Sequence, residues 1–318
     1  MHSITNLILI GGFGFVGRNI LESVRINPDF AHLSPVVVDD LSNAAPGHED
    51  LKLPSHIGSY DGKGALDFLD GLGNTGGGRV FVFLAGETRV AESADRPLDF
   101  IDANIANPAH FVMRAVRPGD SFILISTAGA LFDGTFEVRL DSPRCPKNLY
   151  GATKVAEEMI LEQLVTLRGA QFSIIRLTNV FGAYSENKKS AIHAFIRAAI
   201  SGDSVIINGD GQQCRDFIYA GDVALGIATL AARLHAGVPT SPVNMLGSGF
   251  SASLMDVVTA IQEAAGTTLT YKNIPATELL ATEPRNVIVN KKDATALLGD
   301  SATSLIEGIR QTYAYYAC

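Results

Sequence analysis

The stretch LILIGGFGFVG, residues 7–17, limits the folds open to this chain more than any other. An apolar run of strand length leads into Gly11, Gly14 and Gly17, with Gly12 as an extra glycine, and a helical pattern follows at once through Phe15 and Val16. Glycines at this spacing let the backbone turn sharply and approach a ligand closely. The helix behind them offers free N–H groups and a positive dipole end to an anion. The same residues would also serve a tight strand–helix turn that binds nothing, and the flanking strand and helix are the context that favours a dinucleotide site. The next apolar run, PVVVDD, reaches Asp39. An acid at the end of a second strand accepts hydrogen bonds from ribose hydroxyls and repels a 2′-phosphate, which selects NAD over NADP. The alternative is a solvated acidic turn formed with Asp40.

Strand-like runs at 6–10, 35–39, 79–84, 121–126 and 172–178 alternate with helical spacing such as RNILESVR and EEMILEQLV. This alternation predicts an α/β fold, a Rossmann-type doubly wound parallel sheet with helices on both faces. Beyond residue 182 the pattern loosens into shorter elements, and GDVALGIATLAARL reads as a return to the main body. We therefore expect an NAD-binding domain from 1–182 plus about 216–246. A smaller, discontinuous C-terminal substrate lobe is expected from about 183–215 plus 247–318. With 47% hydrophobic and 18% charged residues the chain is globular, and its apolar runs are too short to span a membrane. MHSITNLILI has no basic leader region, so a cytoplasmic protein is expected. The net charge of −8 argues against nucleic acid or an anionic membrane as partner. Cys145, Cys214 and Cys318 have no metal-site spacing, and no metal is expected.

In LYGATKVAEE, Tyr150 precedes Lys154 by one helical turn, so the two share a face. Such a pair is either an exposed helix face or an acid/base couple. A tyrosine ionises near pH 10 when unperturbed, and a neighbouring ammonium lowers that value.

Taken together, IGGFGFVG, VVVDDLSN, FLAGETRVAES, ISTAGALFD, YGATK, IIRLTNVFG, GDGQQCRDFIYAGDVA and EPRNV resemble, in order, the motifs of the extended short-chain dehydrogenases/reductases, the nucleotide-sugar epimerases and dehydratases. The resemblance runs from about residue 6 to about 312. It implies NAD as cofactor, a nucleotide-diphosphate sugar as substrate and a homodimer built on helices near 98–116 and 150–167, the first interrupted by Pro108. By position it implies that Gly11, Gly14, Phe15, Val16 and Gly17 line the pyrophosphate and Asp39 the adenosine ribose. Leu84, Ala85 and Gly86 would pass under the cofactor, and Tyr150 and Lys154 would contact it. Thr127, Tyr150 and Lys154 would be catalytic, and Asn179, Arg215 and Arg285 would contact the sugar and diphosphate together with Thr127.

The chain also departs from the family pattern. Ser59 stands where an Asp usually meets the adenine. Ala128 and Gly129 replace the Asp-Glu pair that serves 4,6-dehydratases as acid and base. Glu87, after the strand RVFVFLA, either acts on C5 and C6 of an oxidised sugar or is a loop carboxylate paired with Arg89. The first role makes the chain a 5,6-dehydratase giving an exo-glycal, as in antibiotic biosynthesis, and this is the leading expectation. A UDP-sugar 4-epimerase using the same C4 oxidation is the alternative, and an NAD(P)-dependent ketone reductase the second. A non-catalytic NAD sensor is disfavoured by the intact Thr127, Tyr150 and Lys154.

Overall fold

The computed structural model describes residues 4–73, 76–188, 190–275, 286–299 and 302–317. Its strands are β1 (Ile4–Ile10), β2 (Leu33–Asp39), β3 (Ser55–Ile57), β4 (Gly76–Phe83), β5 (Ser121–Thr127), β6 (Gln171–Leu177), β7 (Asn179–Phe181), β8 (Val205–Asn208), β9 (Cys214–Tyr219), β10 (Val243–Leu246), β11 (Ser251–Ser253) and β12 (Tyr271–Ile274). Its helices are α1 (Phe15–Ile26), α2 (Lys63–Asp70), α3 (Val90–Ser93), α4 (Pro97–Ile101), α5 (Asn107–Ala115), α6 (Leu149–Leu167), α7 (Ala191–Ser201), α8 (Ala220–His235), α9 (Leu254–Ala265), α10 (Lys291–Ala294) and α11 (Leu305–Ala317).

Seven strands form one parallel sheet in the order β10-β6-β5-β4-β1-β2-β3. Leu7 to Ile10 are all buried because a central parallel strand is covered on both faces. Successive side chains alternate. Leu7 and Leu9 join α1 and α8 in a core with Ile20, Ile227 and Leu230. Ile8 and Ile10 face α2, α5 and α6 through Phe81, Phe83, Phe111 and Leu161. Chain order reverses between β1 and β4, so the loops leaving these two strands diverge and open a crevice at the sheet's carboxyl end.

The remaining strands make a β11-β9-β7 sheet and a β12-β8 pair. Helices α7, α9 and α11 pack around Phe181, Ile196, Val257, Ile261 and Ile309. The expected interruption at Pro108 takes a particular form. Residues Asp102–Ala106 wind as a π-helix between α4 and α5, and Pro108 is accommodated in the first turn of α5, where its missing N–H does no harm. Among the described residues, no helix is long and apolar enough to cross a membrane.

Candidate active site

The glycine loop sits at the point where the chain order reverses. Gly11 has φ +80°, and a side chain there would press on the backbone of Ala85, 3.2 Å away. Gly12 proves as constrained as the other glycines: a Cβ there would lie 2.7 Å from Leu9 Cβ and 2.9 Å from Val37. Gly17 packs its backbone directly on Gly12, which seats α1 against β1. Gly14 caps α1 without any side-chain hydrogen bond, so the first N–H groups of the helix stay open to a ligand. Asp39, at the end of β2, accepts hydrogen bonds from Phe13 N (2.9 Å) and Leu41 N (2.7 Å). Burial pushes its carboxyl above the usual range, against those two N–H groups. This cradle of backbone, with an acid at its rim, fits a dinucleotide.

Tyr150 and Lys154 are both buried, not on an exposed face. Asn148 caps α6 by accepting from Gly151 N at 2.8 Å, and Gly151 packs against the loop after β5 with no room for a side chain. That contact brings Tyr150 beside Thr127, whose hydroxyl favours the phenolate. Lys154 Nζ donates to Ile125 O at 3.0 Å and pairs with Glu157. The expectation of a lowered tyrosine pKa needs correction for the protein alone. Burial raises the Tyr150 phenol above its ordinary value, Lys154 and Thr127 pull it down, and Glu157 pushes it up.

Glu87 follows β4 and is held by a residue that carries no signal in the sequence. Asn104, wholly buried in the π-helical turn, accepts from Glu87 N (2.9 Å) and donates to Glu87 O (3.1 Å) and Thr153 Oγ1 (3.1 Å). Gly86, at φ +134°, gives it room: a Cβ there would lie 2.7 Å from Asn104 Oδ1. The Glu87 carboxylate meets Arg96 at 3.5 Å, while Arg89 pairs with Glu92. The suggested Glu87–Arg89 pair is therefore replaced by Glu87–Arg96. The residues after Thr127 bring no charge, since Ala128, Leu131 and Phe132 are buried in an apolar cluster.

Asn179 donates to Asp216 O at 3.1 Å and so ties β7 to β9 while remaining exposed. Arg215 lies on β9, bridged to Val287, and donates to Cys214 O at 2.9 Å. Its neighbour Asp216, missed in the sequence, is buried and accepts from Thr178 Oγ1 and from the N–H groups of Ser248 and Gly249. Arg285 lies outside the described residues. Ser59 is exposed, its hydroxyl bonded to Asp61.

Sequence reasoning also missed a group of cations. A cavity of about 490 Å³ is lined by Ser42, Asn43, Arg89, Lys188 and Arg197, with Glu186 and Asn187. It adjoins the glycine loop, as Lys188 Nζ is 5.8 Å from the centre of the Phe15 ring. Burial and Arg89 both push the Lys188 ammonium below its ordinary pKa, the condition of a cation that lacks an anion. These residues come from three separate loops and from helix α7, so no spacing in the sequence announces them. Helix α11 braces this wall. Tyr316 OH accepts from Ser185 N at 3.0 Å, Tyr315 OH donates to Glu186 at 2.8 Å, and Tyr184 stands at φ +65° beneath the Arg18 guanidinium.

Residues 7–245 match the model of the NAD dependent epimerase/dehydratase family. The chain is 30% identical to an uncharacterized UDP-glucose epimerase, YtcB, of Bacillus subtilis, over 97% of each chain. Among solved structures it resembles the UDP-glucose 4-epimerase of Thermus thermophilus in complex with NAD (20% identity, TM-score 0.82, 98% of each chain). It also resembles TunA, an NAD dependent NDP-hexosamine 5,6-dehydratase involved in tunicamycin biosynthesis (23% identity, TM-score 0.80, 98% of this chain and 97% of that one). At these identities the two structural likenesses concern the fold.

Proposed function

This chain belongs to the NAD dependent epimerase/dehydratase family, and on that premise we propose that it epimerises C4 of a UDP-sugar through transient oxidation of that carbon. The observation that carries this reading is the composition of the site around Thr127. Tyr150, Thr127 and Lys154 converge there, and the loop from Ala128 to Phe132 contributes no acid or base for eliminating water. Held by the glycine loop and Asp39, NAD would supply the acceptor for the C4 hydride and the source of its return. Tyr150 takes the O4 proton in the oxidation and, once the 4-keto sugar has turned to present its opposite face, gives it back in the reduction, so the net change is the configuration at C4 alone. Thr127 orients the same oxygen, and Lys154 supplies positive charge that offsets the cost of a buried phenolate. Asp39 holds the adenosine ribose, and the glycine loop with Leu84, Ala85 and Gly86 holds the rest of the cofactor. Arg215, Arg285 and Asn179 hold the sugar diphosphate.

A second reading, 5,6-dehydration, rests on Glu87. Its backbone is fixed at both N–H and C=O by Asn104, more restraint than a bare loop carboxylate needs. In that reading Glu87 removes the C5 proton of the 4-keto sugar and passes it to the C6 hydroxyl, which leaves as water, and return of the hydride to C4 leaves a 5,6-alkene. Proton NMR separates the two. The protein is incubated in D2O with UDP-glucose and UDP-N-acetylglucosamine and no added nicotinamide. An unlabelled galacto product supports epimerisation, and loss of water with two vinylic C6 protons and no deuterium on carbon supports the second reading. Turnover only with stoichiometric NADH would refute both and leave the ketone reductase.

The same premise supports a homodimer through α4, α5 and α6. Leu98, Ile101, Met113, Met159 and Leu167 are exposed on these helices. Light scattering should report a dimer that Met159→Lys shifts to monomer, and a wild-type monomer at high concentration would refute it.

A further inference from the structure

Two consecutive glutamates on α6, Glu157 and Glu158, are both wholly buried, and they are treated very differently. Glu158 accepts from Ser126 Oγ (2.7 Å), from Arg176 Nε (3.0 Å) and a second Arg176 nitrogen (2.8 Å), and from Arg144 (3.1 Å). Its carboxylate is saturated, and it locks α6 to β5 and β6. Glu157 has none of this. Among the described residues, one oxygen forms an ion pair with Lys154 Nζ without hydrogen-bond alignment, and the other has no hydrogen-bond partner. A half-satisfied buried carboxylate is costly, and packing gives no reason to keep it. Among the described residues its sole partner is the lysine of the acid/base couple.

From this contrast we propose that Glu157 is a positioning residue for the Tyr150–Lys154 couple: it holds the Lys154 ammonium against the Ile125 carbonyl and sets the net charge that reaches Tyr150. The proposal rests on the reading of Tyr150 as the proton acceptor. The groups facing Glu157 are Lys154, Tyr150 and Glu158 on its own helix and Tyr60 from the segment between β3 and α2. Its anion raises the proton affinity of Lys154, Tyr150 and Tyr60 alike. Burial lifts the Glu157 carboxyl itself to about 7, with Lys154 opposing and Glu158 reinforcing the rise. As pH falls through that value the carboxyl takes up a proton, and Lys154 then acts on Tyr150 unopposed. Protonation of Glu157 thus partly offsets the rise that burial imposes on the Tyr150 phenol.

The test titrates the phenolate of the NAD-loaded protein by ultraviolet difference, without any sugar, using Tyr150→Phe to isolate the Tyr150 signal. Removing the anion lets its neighbours lose protons more readily. Glu157→Gln should move the Tyr150 midpoint to lower pH by about one unit, and both limbs of the pH profile of kcat/KM should move the same way. Glu157→Asp, which keeps the charge, should stay near the wild-type midpoint. Glu157→Met, uncharged and of similar volume, carries the test if the amide does not fold. An unchanged midpoint in a folded Gln or Met variant overturns the proposal, even if activity falls evenly at every pH. A wild-type protein in which Tyr150 never titrates overturns the assignment of Tyr150 as base, and the role of Glu157 with it.

Discussion

Replacing Asn104 with alanine removes three hydrogen bonds at once, two to the backbone of Glu87 and one to Thr153. Each neutral bond contributes roughly 0.5–1.5 kcal/mol net. The half-exposed Glu87 can recruit water for its N–H and C=O, whereas Thr153 is buried and keeps its other bond to Tyr150 O at 2.8 Å. The expected loss is therefore about 2–3 kcal/mol, a substantial part of the roughly 5–15 kcal/mol that holds a typical domain. The loop carrying Ala85 to Glu87 loses its anchor in the same step, so NAD affinity and kcat should both fall. Asn104→Asp sharpens the test. It preserves the acceptor for Glu87 N but loses both donors and sets a carboxylate oxygen against Glu87 O, so it should be no better than alanine. Urea denaturation gives the stability change, and fluorescence titration gives the NAD affinity. An unchanged midpoint in Asn104→Ala together with wild-type kcat would refute the view that this π-helical asparagine shapes the site.

Three other predictions concern individual residues. Tyr150→Phe should lower kcat by about 10²–10⁴-fold while retaining bound NAD, read by turnover and by cofactor released on denaturation. Glu158→Ala leaves Arg176 buried without its counter-charge and should cost about 3–5 kcal/mol in urea denaturation. His193 is buried, and burial, helped by Arg197 and Lys188, holds its pKa at about 4. A histidine depressed in the folded state adds stability above its unfolded pKa of about 6.5. That stability is lost as pH falls towards about 4. His193→Asn should flatten the decline, and parallel stability–pH curves would contradict this assignment.

The parallel sheet is legible in the sequence because LILI, VVVD, VFVF and FILI are apolar on both faces, a pattern that solvent-facing strands do not show. The glycine loop is legible because three glycines, a strand before and a helix after must coincide. Asn104 is not legible. DANIANPAH reads as an ordinary helical turn, and only the π-winding before Pro108 aims that side chain at Glu87. The cations of the cavity escaped for another reason: Arg89 and Lys188 lie in different loops, Arg197 lies on α7, and the three meet only once the fold is complete. Arg215 was picked from its local motif, whereas the adjacent Asp216, which joins the β7–β9 sheet to the loop after β10, has a role visible only through its three donors. For Tyr150 the spacing to Lys154 gave the right neighbours but no measure of burial, which dominates in the protein alone.

The brace formed by Tyr315 and Tyr316 on residues 184–186 has a consequence for synthesis. The glycine loop leaves the ribosome well before α11, whereas the segment bearing Lys188 is pinned by residues of α11 more than a hundred positions later in the chain. A nascent chain halted before α11 can complete the seven-stranded sheet but not this wall of the crevice. Newly made protein should therefore gain its dinucleotide cradle before the wall that carries Lys188.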